Sequence, residues 1–183
     1  MKKTLLALAM MLGIAGGAAA QEVAISYGGY TQMDAVNNHK GFDKTNNAWG
    51  AVNVSLYLPV AKGVKVGPSY TYSSQFTPAA AYEIPGLEGT YDLKSKVGYH
   101  AIMLNVKVDY WHNSIVNLYG HAGAGAVIAH MMPKYQESYN KGYFCGQISP
   151  IGAEVAFNSH AYMFGELGFG AQGLVQVGFK YAF

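Results

Sequence analysis

The chain contains no arginine, a single cysteine and little charge of either sign. All 12 basic residues are lysines, balanced by 10 acidic ones, and beyond Lys2 and Lys3 they form no run, so the electrostatic footprint of a nucleic-acid binder is missing. Charged residues make up 12% of the sequence, about half the usual share of a soluble globular domain. One cysteine, Cys145, excludes an internal disulfide; it is expected as a small semi-buried residue, with intermolecular pairing as the alternative. After the first 20 residues no stretch supplies the roughly 20 apolar residues that a membrane helix requires. The best candidate, AGAGAVIAH from Ala122 to His130, is short and broken by glycine. The remaining route through a membrane is a closed barrel, in which every backbone N–H and C=O finds a partner within the sheet.

Two ends of the chain carry clear signals. MKKTLLALAMMLGIAGGAAA places Lys2 and Lys3 before an apolar run and puts Ala18 and Ala20 at A-x-A positions, which reads as a secretory signal cleaved after Ala20. A short membrane anchor is the weaker alternative, because the run is too short and no stop-transfer charges follow. No cysteine follows the cleavage site, so a lipid-anchored terminus is not expected. Residues 21–183 then form one domain, and loss of Lys2 and Lys3 brings the formal charge of +2 to neutrality. At the other end, Val175, Val177, Phe179, Tyr181 and Phe183 alternate with Gln176, Gly178, Lys180 and Ala182, the two faces of a β-strand.

Similar period-two segments recur along the chain: 22–32, 48–58, 64–76, 97–110, 115–128, 143–157 and 161–169, with the last strand over 173–183. Each is near the roughly 10 residues of a tilted membrane strand. The connections alternate between long (37–47, 77–95, 131–142) and short (59–63, 111–114, 158–160), with a final short turn near 170–173. This predicts an all-β fold: a single closed, antiparallel, up-and-down transmembrane barrel of eight strands, with short turns on one rim and longer loops on the other. Pro68 and Pro150 fall inside strands, where each removes a ladder donor, so a bulge or a site outside the hydrocarbon zone is expected there.

Alternation alone leaves sidedness open, since a soluble barrel of the lipocalin or streptavidin kind would turn its apolar face inward. The polar face here is mostly Gly, Ala, Ser, Thr, Asn and Tyr, too poor in charge for a water-exposed surface and suited to a crowded barrel interior. Lys65, Lys107, Asp109, Glu154, Glu166 and Lys180 share that parity with Asn105, Asn117 and His121. An uncompensated ion there is costly, so a salt-bridge and hydrogen-bond plug is expected, with Lys107 and Lys180 against Glu154 and Glu166. Aromatics near strand ends, Tyr110, Trp111, Phe157, Tyr181 and Phe183 at one level and Tyr27, Trp49, Tyr70, Tyr72 and Phe169 at the other, fit two interfacial girdles.

On these residues the chain resembles the small outer-membrane β-barrel proteins of Gram-negative bacteria, of the OmpA and OmpX kind, over the whole of 21–183. The most specific element is LVQVGFKYAF; YMFGELGFG looks like the family's penultimate strand. The resemblance implies that Phe179, Tyr181 and Phe183 form the address read by the barrel-assembly machinery, with periplasmic chaperones and outer-membrane lipids as further partners and the outer membrane as location. Some barrels of this size are lipid A modifying enzymes with a His-x-Ser pair. Here His100, His121 and His130 are followed two positions later by Ile102, Gly123 and Met132. Ser95 beside His130 near the outer rim is the one conceivable nucleophile and base, and no metal-ligand spacing or cofactor motif appears.

The expected function is therefore that of a non-catalytic surface barrel for adhesion, ligand binding or envelope integrity. A narrow pore, a lipid-modifying enzyme and a soluble secreted binder are the alternatives. Phe42, Tyr82, Tyr91, Tyr135 and Tyr139 are the loop candidates for an extracellular ligand, because Tyr amid Asn, Ser and Gly suits recognition surfaces.

Overall fold

Eight segments of alternating side chains close on themselves in the computed structural model, which describes residues 21–36, 50–76, 81–83, 90–92, 96–132 and 137–183. The strands are β1 (Glu22–Gly29), β2 (Ala51–Ala61), β3 (Val64–Phe76), β6 (Lys96–His112), β7 (Val116–Met132), β8 (Tyr139–Ala156), β9 (Ala161–Gly170) and β10 (Val175–Ala182). Around the barrel they run β1-β10-β9-β8-β7-β6-β3-β2, every pair antiparallel. Closure removes the free edges that would expose unpaired backbone groups. Outside the barrel, β4 (Ala81–Glu83) pairs with β5 (Thr90–Asp92), and a short helix, α1 (Gln32–Val36), follows β1.

The turns after β2, β6 and β8 lie on one rim, where the Phe183 amide also donates to the Gln21 carbonyl at 2.9 Å. We term this the terminal rim and the opposite one the loop rim. Strands β6, β7 and β8 have 17, 17 and 18 residues, whereas β1, β9 and β10 have 8, 10 and 8. One wall of the barrel is thus much taller than the other.

Several boundaries differ from the sequence reading. The first strand stops at Gly29 and not at Gln32, because Thr31 and Asp34 cap a helix: the Thr31 amide donates to the Asp34 carboxylate at 2.5 Å, and the Asp34 amide to the Thr31 carbonyl at 3.0 Å. The third long connection is shorter than 131–142, since β7 runs on through Met132 and β8 starts at Tyr139. The stretch 77–95 holds the β4–β5 pair. The short turn near 170–173 belongs to the loop rim and folds inward, leaving Ala171 and Gln172 buried. A register shift does occur at Pro150, between Ile148 and Ile151, but none occurs at Pro68, which stays opposite Leu104. In both flanking ladders the register is the same before and after Pro68, so the missing donor is accommodated without an added residue. Residues 1–20 lie outside the described residues, as does Trp49.

Candidate functional site

Parity places the sidedness. Ile25, Leu104, Val177 and Phe179 are 56%, 61%, 58% and 65% exposed and point away from the axis, while Asn105, Lys107, Gln176 and Lys180 between them are buried. A closed barrel with aliphatic and aromatic residues outside and its ions inside is the reverse of a soluble ligand-carrying barrel.

The lumen is built in tiers. Nearest the terminal rim, Lys65 Nζ lies 2.8 Å from Glu22 Oε1 and 3.0 Å from Asp109 Oδ2. Above them Glu154 takes Lys107 through one oxygen and Lys180 through the other at 2.5 Å, with Asn117 donating at 3.3 Å. Lys180 also reaches Glu22 at 3.2 Å, so three lysines and three carboxylates form one continuous network. Lys107 Nζ further sits 4.0 Å over the Tyr119 ring. Desolvating six charges is costly, and multiple partners per ion are what make it tolerable.

The next tier is centred on Glu166. Tyr119 donates its hydroxyl to Oε1 at 2.8 Å, and His121 Nδ1 and Gln176 Nε2 approach Oε2 at 3.1 and 3.2 Å. His121 Nε2 faces Asn105 Oδ1 at 3.1 Å. The expected pairing of Glu166 with lysine is therefore not what forms. Glu166 faces Gly152 across β8–β9, where it lies under the Tyr119 ring, and the lysines gather on Glu154 and Glu22 instead. A void of ≈10 Å³ lined by these groups has room for about one water.

Higher still, the inward-folded turn fills the bore with amides. Asn53 Nδ2 donates to the Gln172 carbonyl at 3.1 Å, Gln172 Nε2 to Ser69 Oγ at 3.1 Å, and Gln147 Nε2 to the Gly173 carbonyl at 3.1 Å. Above that, Met33 of α1 packs with Val97, Tyr99, Ala101, Met103, Val127, Ala129, Met131, Cys145 and Ala171 in an apolar cluster. Asp34 Oδ1 accepts from Gln75 at 2.7 Å and fastens the helix to β3. Cys145 is wholly buried there. At the terminal rim a vestibule of ≈740 Å³ opens below the ion network, between Lys62, His112, Asn113 and Ser159.

No protein-family model matches the chain, and no curated protein is matched by sequence. The barrel is similar to Ail. The crystal structure of Ail, the attachment invasion locus protein of Yersinia pestis, is 15% identical over 91% of this chain and 100% of that one, with a TM-score of 0.48. A second structure of Ail, in complex with the heparin analogue sucrose octasulfate, is 16% identical over 90% and 95%, with a TM-score of 0.46.

The remaining sequence candidates fall in separate places. Phe179, Tyr181 and Phe183 project outward in a row, with Tyr181 packed edge-on against Phe183 at 5.0 Å. Tyr82 and Tyr91 are cross-strand partners in β4–β5, and Tyr139 is exposed at the start of β8. Phe42 and Tyr135 lie outside the described residues, as does Ser95; the partner of His130 across β6–β7 is Gly98. Among the described residues no group of three or more His, Cys, Asp or Glu side chains is placed to hold a metal. Glu22, Gln147, Gln172 and Gln176 were missed by sequence reasoning. Glu22 was discoverable: it shares the inward parity of Ala24 and Ser26.

Proposed function

We propose that this protein is an integral outer-membrane barrel, exported through a leader cleaved after Ala20, that holds surface loops above the bilayer for adhesion, ligand binding or envelope integrity and performs no catalysis itself. The observation that carries this reading is the outward apolar belt around a barrel whose bore is filled from the ion network above the terminal-rim vestibule up to Met33. An exterior of Ile, Leu, Val and Phe is stable only against hydrocarbon, and a bore filled by ion pairs, amides and Met33 leaves the loop rim as the surface available to a partner. Assembly would follow through the barrel-assembly machinery and periplasmic chaperones, with Phe179, Tyr181 and Phe183 as the recognised row. Tyr82, Tyr91 and Tyr139, with Phe42 and Tyr135, are the proposed contacts for an extracellular ligand.

The test is membrane fractionation followed by gel electrophoresis of boiled and unboiled samples. The expected result is recovery with the outer membrane and a mobility that changes on boiling. Release into the soluble periplasmic fraction would overturn the reading in favour of a secreted binder. A pore is the second reading, favoured by the charged lining at Lys107 and Glu154, but the ≈10 Å³ void leaves no room for hydrated ions.

A further inference from the structure

The apolar exterior changes character at one level on the tall wall, where outward polar side chains take over. Along β6 the outward residues run Val108, Val106, Leu104 and Ile102, then His100, Gly98 and Lys96. Along β7 they run Ala122, Ala124, Ala126 and Ile128, then His130. Ladder pairing brings these together: His130 lies between Gly98 of β6 and Asn140 of β8, and His100 lies opposite both Tyr72 and Ile128. At this level the outward side chains change from aliphatic to polar.

The two imidazoles are each anchored by one nitrogen. His100 Nδ1 lies 2.6 Å from the Tyr70 hydroxyl, and its ring packs 5.1 Å from Tyr72. His130 Nδ1 lies 2.6 Å from Asn140 Oδ1. A Tyr hydroxyl donating to His100 Nδ1 leaves its Nε2 as an N–H donor. The Asn140 carbonyl oxygen accepts from His130 Nδ1–H and holds that ring beside Gly98. Between them Gly98 forms a shallow floor: a Cβ there would meet only His100 Nε2 and the Tyr72 ring, each at 3.9 Å. Gly142 of β8 has open space above it. Lys96, held over the Phe76 ring at 5.5 Å, adds an ammonium at the top. The outward residues of β3, β6, β7 and β8 include no carboxylate.

Below this depression the exterior is a trough. Ala122, Ala124 and Ala126 form its base, with Ile102, Leu104 and Val106 on one side and the exposed Phe144 and Ile148 on the other. We propose that this wall binds one phosphorylated lipid of the outer leaflet, its phosphate in the depression over Gly98 between His100, His130 and Lys96, and one acyl chain along Ala122–Ala126. An ammonium and an imidazole N–H, on outward strand faces that carry no carboxylate among the described residues, select a phosphate, and the aligned trough selects one carried on a hydrocarbon chain. This rests on the membrane reading above and deepens it by naming a lipid and its seat.

The test uses the full barrel refolded in detergent and native mass spectrometry with lipid A, its dephosphorylated counterpart, and inorganic phosphate as competitor. The unaltered protein is expected to retain one lipid A, about tenfold better than the dephosphorylated form. Retention should fall about tenfold in His100→Asn/His130→Asn and, separately, in Gly98→Val, which fills the floor without touching a charge. Equal retention of both lipids by all three proteins would overturn the site, as would inorganic phosphate displacing lipid A at equal concentration. Each variant is first checked for boiling-dependent mobility; a protein that never inserts into bilayers defeats the membrane reading, whereas one that inserts without lipid preference defeats this site alone.

Discussion

Lys107 of β6 and Glu154 of β8 form an ion pair across the inside of the barrel, spanning the strand that separates them in the sheet. Both are buried, and Glu154 shares its second oxygen with Lys180. The pair ties three strands together from within, in addition to the ladders that join them at the backbone.

Removing one member exposes the cost of that arrangement. Lys107→Met leaves Glu154 with Lys180 and Asn117 and is expected to lower stability by about 3 kcal/mol, as breaking a buried pair does. Lys107→Met with Glu154→Met should recover a substantial part. Urea unfolding of the barrel refolded in vesicles measures both; a double variant weaker than the single one would contradict the account.

Conductance is the second check. With the bore occupied, the protein in planar bilayers is expected to give no steady unitary current. A discrete current that Lys107→Met alters would show that ions pass through the network, and the plug assignment would fail.

Outside the barrel, Val177→Arg puts a charge into the hydrocarbon belt and is expected to cost about 2–4 kcal/mol if the site is near mid-bilayer. The paired control is Gln176→Asn, an inward change that shortens the side chain reaching Glu166 and Ser26. Its effect should not depend on bilayer thickness, whereas that of Val177→Arg should; refolding yield in vesicles of two chain lengths reads the difference.

Gly152 provides a packing test. A Cβ at this position would run into the Tyr119 ring, so Gly152→Val displaces the ring whose hydroxyl holds Glu166. A loss of about 1–3 kcal/mol is expected for such overpacking. Gly142→Ala, with open space above it, should be nearly neutral by the same urea titration.

Much of the fold was legible because one strand face is so different from the other. In β10 a one-residue slip would bury Phe179 and expose Lys180, so the pattern admits a single register. That contrast is lost near the loop rim, where Val97, Tyr99 and Met103 face inward and Ile102 and Leu104 face outward, and both parities are apolar. The inner apolar cluster was therefore invisible to alternation. The start of α1 did carry a signal, Thr31 three residues before Asp34, hidden by reading the strand onward through Gln32. The charge network was only partly legible: parity marked which ions face inward, but which lysine meets which carboxylate depends on strand tilt and bulges. Alternation does not reveal the register shifts at Trp111, His121 and Ile151. The seat at His100 and His130 needed the pairing of three strands and could not be read from spacing.

The seam between β1 and β10 brings residues from opposite ends of the described barrel together: Lys180 hydrogen-bonds Glu22 from 158 positions away. Like a hoop, the cylinder bears load only once it is joined, and joining such distant segments carries a large entropic cost. The ion cluster and the seam share Lys180 and Glu22, so neither reaches full strength without the other. Opening the wall at this joint should release the interior as one cooperative unit.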